Sequence, residues 1–168
     1  MRKLLCLICL LAGLTAGAQT RTYSDNASKT FIFGLENYFY GVSGSLDFQL
    51  SGKAHQASVT EGDVTVDGAV LSAGETDTVV GIHDFTGDKS PELVVARRTE
   101  QGVSVTVYAF SAGQWKEIGR MVSPEAKEIR VFRQVVSIRR GEVLCSWTWH
   151  GNKFDYKASD GSPEPSLP

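Results

Sequence analysis

The chain has 168 residues, with 17 basic against 19 acidic side chains, a formal net charge of −2 and 42 % hydrophobic residues. That is the size and composition of one globular domain with enough apolar surface for a core. Nothing basic is clustered as a phosphate backbone requires, which argues against a nucleic-acid partner.

Arg2 and Lys3 precede the apolar run Leu4 to Leu14, and Ala16-Gly17-Ala18 stands before Gln19. A basic start, a short apolar core and a small-residue site make the pattern of a cleaved signal peptide over 1–18. The apolar run is too short to span a bilayer as a helix. Cys6 and Cys9 are not preceded by the small residues of a lipoprotein cleavage site. The expected product is an exported, soluble chain beginning at Gln19, periplasmic or extracellular, with no transmembrane segment. Losing Arg2 and Lys3 takes the net charge from −2 to −4. Two of the three cysteines leave with the leader. Cys145 then has no intrachain partner, and its apolar-alternating surroundings predict a buried, inert thiol.

Residues 19–30 are polar and are expected to form a flexible leader; Asn26-Ala27-Ser28 within it matches a glycosylation sequon by chance composition. A single all-β domain is expected over 31–158. From Phe31 the period is two: Phe31, Phe33 and Leu35 alternate with Ile32, Gly34 and Glu36, then Leu46, Phe48 and Leu50 with Asp47 and Gln49. Alternation of this kind predicts half-buried strands. Val64 and Val66 lead into Asp67-Gly68, a two-residue hairpin signal because both central residues must take positive φ. Further strands are expected at Thr78–Ile82, Leu93–Ala96, Val103–Ala109, Gln114–Ile118, Ile129–Ile138 and Val143–Trp149, the last continuing through Gly151-Asn152 to Phe154 and Tyr156. Ser159 to Pro168 is rich in proline and is expected to be a disordered tail. No segment sustains a helical period, so the fold class is all-β. One weak repeat is visible at an offset of 39, from Tyr108, Phe110 and Trp115 to Trp147, Trp149 and Phe154. A period near forty is the size of a propeller blade or one antiparallel sheet unit.

Between two apolar runs lies Asp84-Phe85-Thr86-Gly87-Asp88-Lys89-Ser90-Pro91-Glu92. It sets oxygen side chains at alternate positions: Asp84, Thr86, Asp88, Ser90 and Glu92. A hard cation such as calcium takes six to eight oxygens from a short, sharply turned segment. The same side chains can instead cap their own turn by accepting backbone N–H groups, with no ion. Asp63-x-Thr65-x-Asp67-Gly68 echoes this spacing, but the intervening valines make it a strand and turn.

Residues 82–119 resemble one repeat of the FG-GAP/VCBS class found in integrin-like propellers and exported bacterial proteins. The resemblance rests on Asp84 to Asp88, on Pro91-Glu92-Leu93-Val94-Val95, and on the hairpin Val103 to Phe110 with Gly113 and Trp115. It implies a calcium loop in which Asp84, Thr86, Asp88 and Glu92 fill the first, third, fifth and ninth positions, and Ser90 gives a carbonyl at the seventh. This chain departs in having a hydroxyl at Thr86, a longer acid at Glu92, and Lys89 where the family has glycine and a positive φ. The remaining chain cannot supply the four or more blades of a closed propeller. The expected architecture is therefore antiparallel sheets of propeller-blade-like hairpins, in an open stack or a sandwich.

Catalytic patterns are lacking. Gly41-Val42-Ser43-Gly44-Ser45 fails as a nucleophile elbow, and neither a His-Glu-x-x-His nor a phosphate loop occurs. His55, His83 and His150 have no ligand spacing to one another. Trp147 and Trp149 share a strand face with Val143 and Cys145, which predicts core. Trp115 and Phe154 follow turns and are the candidate exposed ligand-binding aromatics. The expected function is an exported, non-catalytic binding or adhesion module for a protein or carbohydrate ligand, with a candidate calcium loop. The alternatives are a structural or accessory subunit packing on an envelope partner through Arg130–Arg140, and a hydrolase with an unrecognised site.

Overall fold

The computed structural model describes residues 22–23, 41–74, 77–126 and 128–166. The expected signal peptide, most of the leader and the expected strand at 31–36 lie outside the described residues. Among the described residues there are thirteen strands and no helix, hence no helix long and apolar enough to cross a membrane. The first sheet is β1 (Thr22–Tyr23), β2 (Ser45–Leu50), β3 (Lys53–Thr60), β4 (Asp63–Val66) and β5 (Ala69–Ser72). The second is β6 (Thr78–His83), β7 (Glu92–Thr99), β8 (Gly102–Ser111) and β9 (Gln114–Ser123). The third is β10 (Glu128–Phe132), β11 (Val135–Arg140), β12 (Val143–Trp149) and β13 (Phe154–Ala158). Each sheet takes its strands in chain order, every neighbour antiparallel, and none closes into a barrel. The all-β, open-stack expectation is what the chain adopts.

The second sheet is the middle layer, and its sequence says why. A strand buried on both faces must be apolar at consecutive positions, and Val79–Ile82 of β6 and Leu93–Ala96 of β7 are unbroken, buried runs. Val79, Val94, Ala96, Val103, Val105 and Val107 face the third sheet, whose contribution is Ile129, Val131, Val136, Ile138, Cys145, Trp147 and Trp149. Val80, Ile82, Leu93, Val95 and Tyr108 face the first sheet, which answers with Leu46, Phe48, Leu50, Ala57, Val64 and Val66. Val42 joins the first sheet to the second by reciprocal 2.9 Å hydrogen bonds with Val80. Arg97 of β7 adds a polar tie, donating from Nη2 to the carbonyls of Gly62 at 3.3 Å and Ser72 at 3.1 Å. The outer face of the third sheet is different: Ser137, Ser146 and Lys157 form one cross-strand row, and Val135, Thr148 and Asp155 the next. Alternation therefore gives this sheet an apolar inside and a largely polar outside.

The Asp67-Gly68 turn has the expected positive φ at both residues, 52° and 80°. The structure differs from the sequence reading in four places. β3 was not expected, because Lys53, Gln56, Ser58 and Thr60 mask the inward positions His55, Ala57 and Val59. The single strand expected over Ile129–Ile138 is two, since Arg133 takes a left-handed φ of 51° and reverses the chain. The tail expected to be disordered is instead tied back over 159–166. Ser159 N–H donates to Leu144 O at 2.9 Å, and Trp147 Nε1 donates to Glu164 at 2.6 Å. Thr22–Tyr23, within the expected flexible leader, pairs with β2.

The offset of 39 maps the β8–β9 hairpin onto the β12–β13 hairpin, the last two strands of their sheets. Phe110 stands opposite Trp115 and Trp149 opposite Phe154, with ring centroids 5.2 and 5.1 Å apart. Phe154 lies directly over Gly119 of β9, so closely that a Cβ there would overlap its ring. Glycine within a strand ordinarily weakens it by about 0.5–1 kcal/mol relative to alanine. Here overlap outweighs that gain. Gly119→Val is expected to destabilise the fold by about 1–3 kcal/mol, the usual cost of overpacking. Chemical denaturation checks it; a stabilised variant would show that the second and third sheets can part without cost.

Candidate functional site

The acidic loop joins β6 to β7, the two strands buried on both sides. Its residues divide between core and solvent. Phe85 is fully buried in the interior between the second and third sheets. Its ring meets Phe154 edge-on at 5.4 Å and His83 at 4.6 Å. Pro91 and Glu92 are also buried, while Gly87, Asp88 and Lys89 are exposed. The loop is thus a polar bridge anchored at one end by an aromatic plug.

Its hydrogen bonds close inward. Asp84 Oδ1 accepts from Gly87 N–H at 2.7 Å, and Oδ2 accepts from Lys89 N–H at 3.0 Å. Lys89 takes a φ of 69° despite its side chain, and the Asp84 bond helps hold it there. Asp88 accepts from Ser90 N–H at 2.7 Å. Glu92 accepts from Phe85 N–H at 2.7 Å and from the Thr86 hydroxyl at 3.3 Å; that hydroxyl is also 3.5 Å from Asp84 Oδ1.

Of the five expected oxygen donors, the structure brings Asp84, Thr86 and Glu92 together. It turns Asp88 and Ser90 onto each other. Among the described residues no three His, Cys, Asp or Glu side chains close around one point. Glu92 carries the electrostatic signature. It is 3 % exposed, and burial pushes its carboxyl above the usual range, against the pull of the Phe85 N–H. Asp84 and Asp88 add to the upward push, and the Thr86 hydroxyl offsets part of it. A buried carboxylate among like charges is stabilised by a cation or by a proton. The donor chemistry, hard oxygens from carboxylates and a hydroxyl, fits calcium.

The two candidate aromatics do not converge. Phe154 is a contact between sheets, wedged among Phe85, Trp149 and Gly119, which corrects the expectation that it is exposed. Trp115 is half-buried against Phe48 at 6.1 Å. Sequence reading missed Phe110, which is 40 % exposed and whose ring meets Trp115 of the second sheet and His55 of the first. It also missed His55, whose ring stacks on Phe48 at 5.6 Å and lies 6.0 Å from Phe110. His55 Nδ1 is 2.7 Å from Asp67 Oδ2, and Gln56 N–H donates to Asp67 Oδ1 at 2.9 Å. The Gln56 bond, with His55, holds the Asp67 carboxyl below its usual range. Next to this pair is a surface groove of about 440 Å³ lined by Asp47, Phe48, Gln49, His55, Gln56 and Asp67. The only advance signal was the position of Phe110 just before the Ser111-Ala112-Gly113 turn, opposite Trp115.

Comparison with protein-family models, with curated proteins and with solved structures finds no match to this chain.

Proposed function

We propose that this chain is an exported, non-catalytic binding module, a stack of blade-like sheets related to FG-GAP/VCBS repeats, whose central loop takes calcium. The observation that carries the reading is Glu92, buried among Asp84 and Asp88 and bonded to the N–H of the plug residue Phe85. Asp84, Thr86 and Glu92 would hold the ion, with Asp88 and Ser90 as further oxygens. An ion there would fix the loop and, through Phe85, the packing of the second sheet on the third. Its role is structural, and the surfaces beside the stack are left to meet a ligand. The basic start, apolar run and Ala16-Gly17-Ala18 site support export, and extracellular fluids hold the millimolar calcium such sites use.

The test is thermal unfolding of the exported chain with calcium and with chelator. With a dissociation constant of about 10⁻⁴–10⁻³ M, tenfold excess calcium adds about 1.4 kcal/mol. That corresponds to a Tm rise of about 3–6 °C for a domain this size. Asp84→Ala should abolish the rise. A wild-type Tm unmoved at 10 mM calcium would leave the loop as a turn capped by its own side chains.

A second reading is an accessory subunit docking on an envelope partner. It is favoured by Phe132 on the sheet-edge strand β10, which is 41 % exposed with the Arg133 guanidinium 5.0 Å over its ring.

A further inference from the structure

We infer that the surface of the third sheet beside Trp147 and Tyr156 is a binding site for an extended acidic peptide with proline on both sides of its carboxylate. The chain's own Pro163-Glu164-Pro165 fills the site in cis. The inference rests on the binding-module reading and names a ligand class and a place for it.

Trp147 is the largest of the fully buried side chains among the described residues, at 1 % exposed. Its ring N–H is a donor and nothing else, and a buried donor left unanswered is costly. The acceptor comes from outside the sheets that bury the ring. It is Glu164, an exposed residue of the C-terminal segment, at 2.6 Å. Tyr156 stands directly opposite Trp147 on β13, with ring centroids 5.1 Å apart. β13 is the edge of its sheet, so this aromatic pair lies where a chain can come alongside.

The segment is held as a docked peptide is held. Up to Ser159 it continues the β12–β13 ladder: Ser159 N–H donates to Leu144 O at 2.9 Å, and Leu144 N–H donates to Ser159 Oγ at 3.0 Å. Gly161 then takes a φ of 76° and the chain turns back. Residues 161–166 form neither strand nor turn. Pro163 and Pro165 have no N–H to pair and hold φ at about −65°, so the stretch is extended without a ladder partner. Segments of this kind dock on aromatic side chains at low entropic cost, because they are extended before they bind. The site selects the chemistry it already holds. A carboxylate makes the strong, charge-assisted bond to the indole N–H, whereas an amine or guanidinium would leave that donor unanswered. A second peptide offers the same groups, so the occupant is exchangeable. The tethered tail competes at an effective concentration in the millimolar range, which leaves the wild-type site blocked by its own chain.

Fluorescence anisotropy of labelled Gly-Ser-Pro-Glu-Pro-Ser, titrated with the full exported chain, tests the inference. Glu164→Ala should bind the peptide about tenfold or more tightly than wild type, because the open state is no longer the minor one. Glu164→Gln, which loses the charge and keeps the shape, is the second opening variant. Replacing the peptide's Glu by Gln, or both its prolines by Ala, should weaken binding by about tenfold. The chain has three tryptophans, so nitrogen-15 spectra carry three indole N–H signals, and Trp147→Phe assigns one of them. The Trp147 signal should move in Glu164→Ala and return when the peptide is added. Circular dichroism and Tm confirm that each variant is folded. The inference is overturned if the opened variants and wild type bind the peptide alike, if the Gln peptide binds as well as the Glu peptide, or if the Trp147 signal ignores the peptide. A lowered Tm in Glu164→Ala with no peptide binding overturns it too, and makes the tail a structural strap. So does self-association of wild type that Glu164→Ala abolishes, with no peptide binding, which would mean tail exchange between copies. A calcium-raised Tm without peptide binding defeats this site and leaves the calcium loop standing. Peptide binding without a calcium response does the reverse.

Discussion

Phe85→Ala is expected to destabilise the fold by about 3–5 kcal/mol, as for a buried phenylalanine in a close-packed core, and to lower Tm by on the order of 10 °C. Phe85 is the one loop side chain that enters the interior between the second and third sheets, and it has no exposed surface. Its ring meets Phe154 and His83, so the cavity left behind opens on two elements at once. The loop cannot collapse to fill it, because Asp84 holds Gly87 and Lys89 while Glu92 holds the Phe85 N–H. Urea denaturation gives the magnitude directly. A loss below about 1 kcal/mol would mean that the cavity refills, since Phe/Trp→Ala losses ordinarily start near 3 kcal/mol. The plug role also predicts coupling. Asp84→Ala and Phe85→Ala together should cost less than their separate costs combined, as residues of one network do.

The second large effect is at Glu92, and its sign depends on calcium. The carboxyl is raised above its ordinary value of 4.5 in the folded chain, first by burial and then by Asp84 and Asp88, against the hydrogen bonds from Phe85 and Thr86. Below 4.5 the group is protonated whether the chain is folded or not, and it makes no difference. As pH rises above 4.5 the unfolded chain gives up its proton more readily than the folded one. Folded-state stability therefore falls until the raised folded value is passed. In chelator, wild type should lose stability across that window, and Glu92→Gln should not. Near neutral pH the variant should be the more stable of the two. Calcium reverses the order, because it favours the ionised acid and glutamine offers no charge. Glu92→Ala is worse in both conditions, since it leaves the buried Phe85 N–H without its acceptor, at about 1–3 kcal/mol. Identical pH profiles for wild type and Glu92→Gln in chelator would show that this carboxylate is not under electrostatic stress.

The legible part of the fold is the part governed by alternation and turns. Leu46-x-Phe48-x-Leu50, the valines of β8 and the row Cys145, Trp147, Trp149 show a period of two and lie on inward faces. Asp67-Gly68 marked its hairpin because few residues accept positive φ. β3 was illegible because its inward row ends in a histidine and its outward row is polar, so no apolar period survives. The split at Arg133 was illegible because arginine carries no turn signal, and its left-handed φ is imposed by the strands on either side. The loop oxygens were legible from spacing, but which of them meet was not. Asp88 pairs with Ser90 rather than Glu92 through a local backbone bond that spacing cannot rank. The His55–Phe110 corner was beyond reach for a different reason. It joins two sheets, and residues 55 and 110 become neighbours only when those sheets pack.

Through β6 and most of β7 the middle sheet has no face of its own to show to water, and that has a consequence for how the molecule assembles. Each sheet is a run of neighbouring strands, so its pairings are local in the chain and can form quickly for a β protein. The middle sheet, once formed, exposes two apolar faces and cannot persist until a neighbour covers each. Folding is then a nearest-neighbour process, like that of a short array in which each unit is marginal and each interface is worth more than the unit. Slow hydrogen exchange belongs to β7 and β8, which open only when both interfaces are lost. The outer sheets are the fraying ends, each free to detach at the cost of a single interface. An early intermediate with the middle sheet half covered would carry the largest aggregation hazard of the whole route.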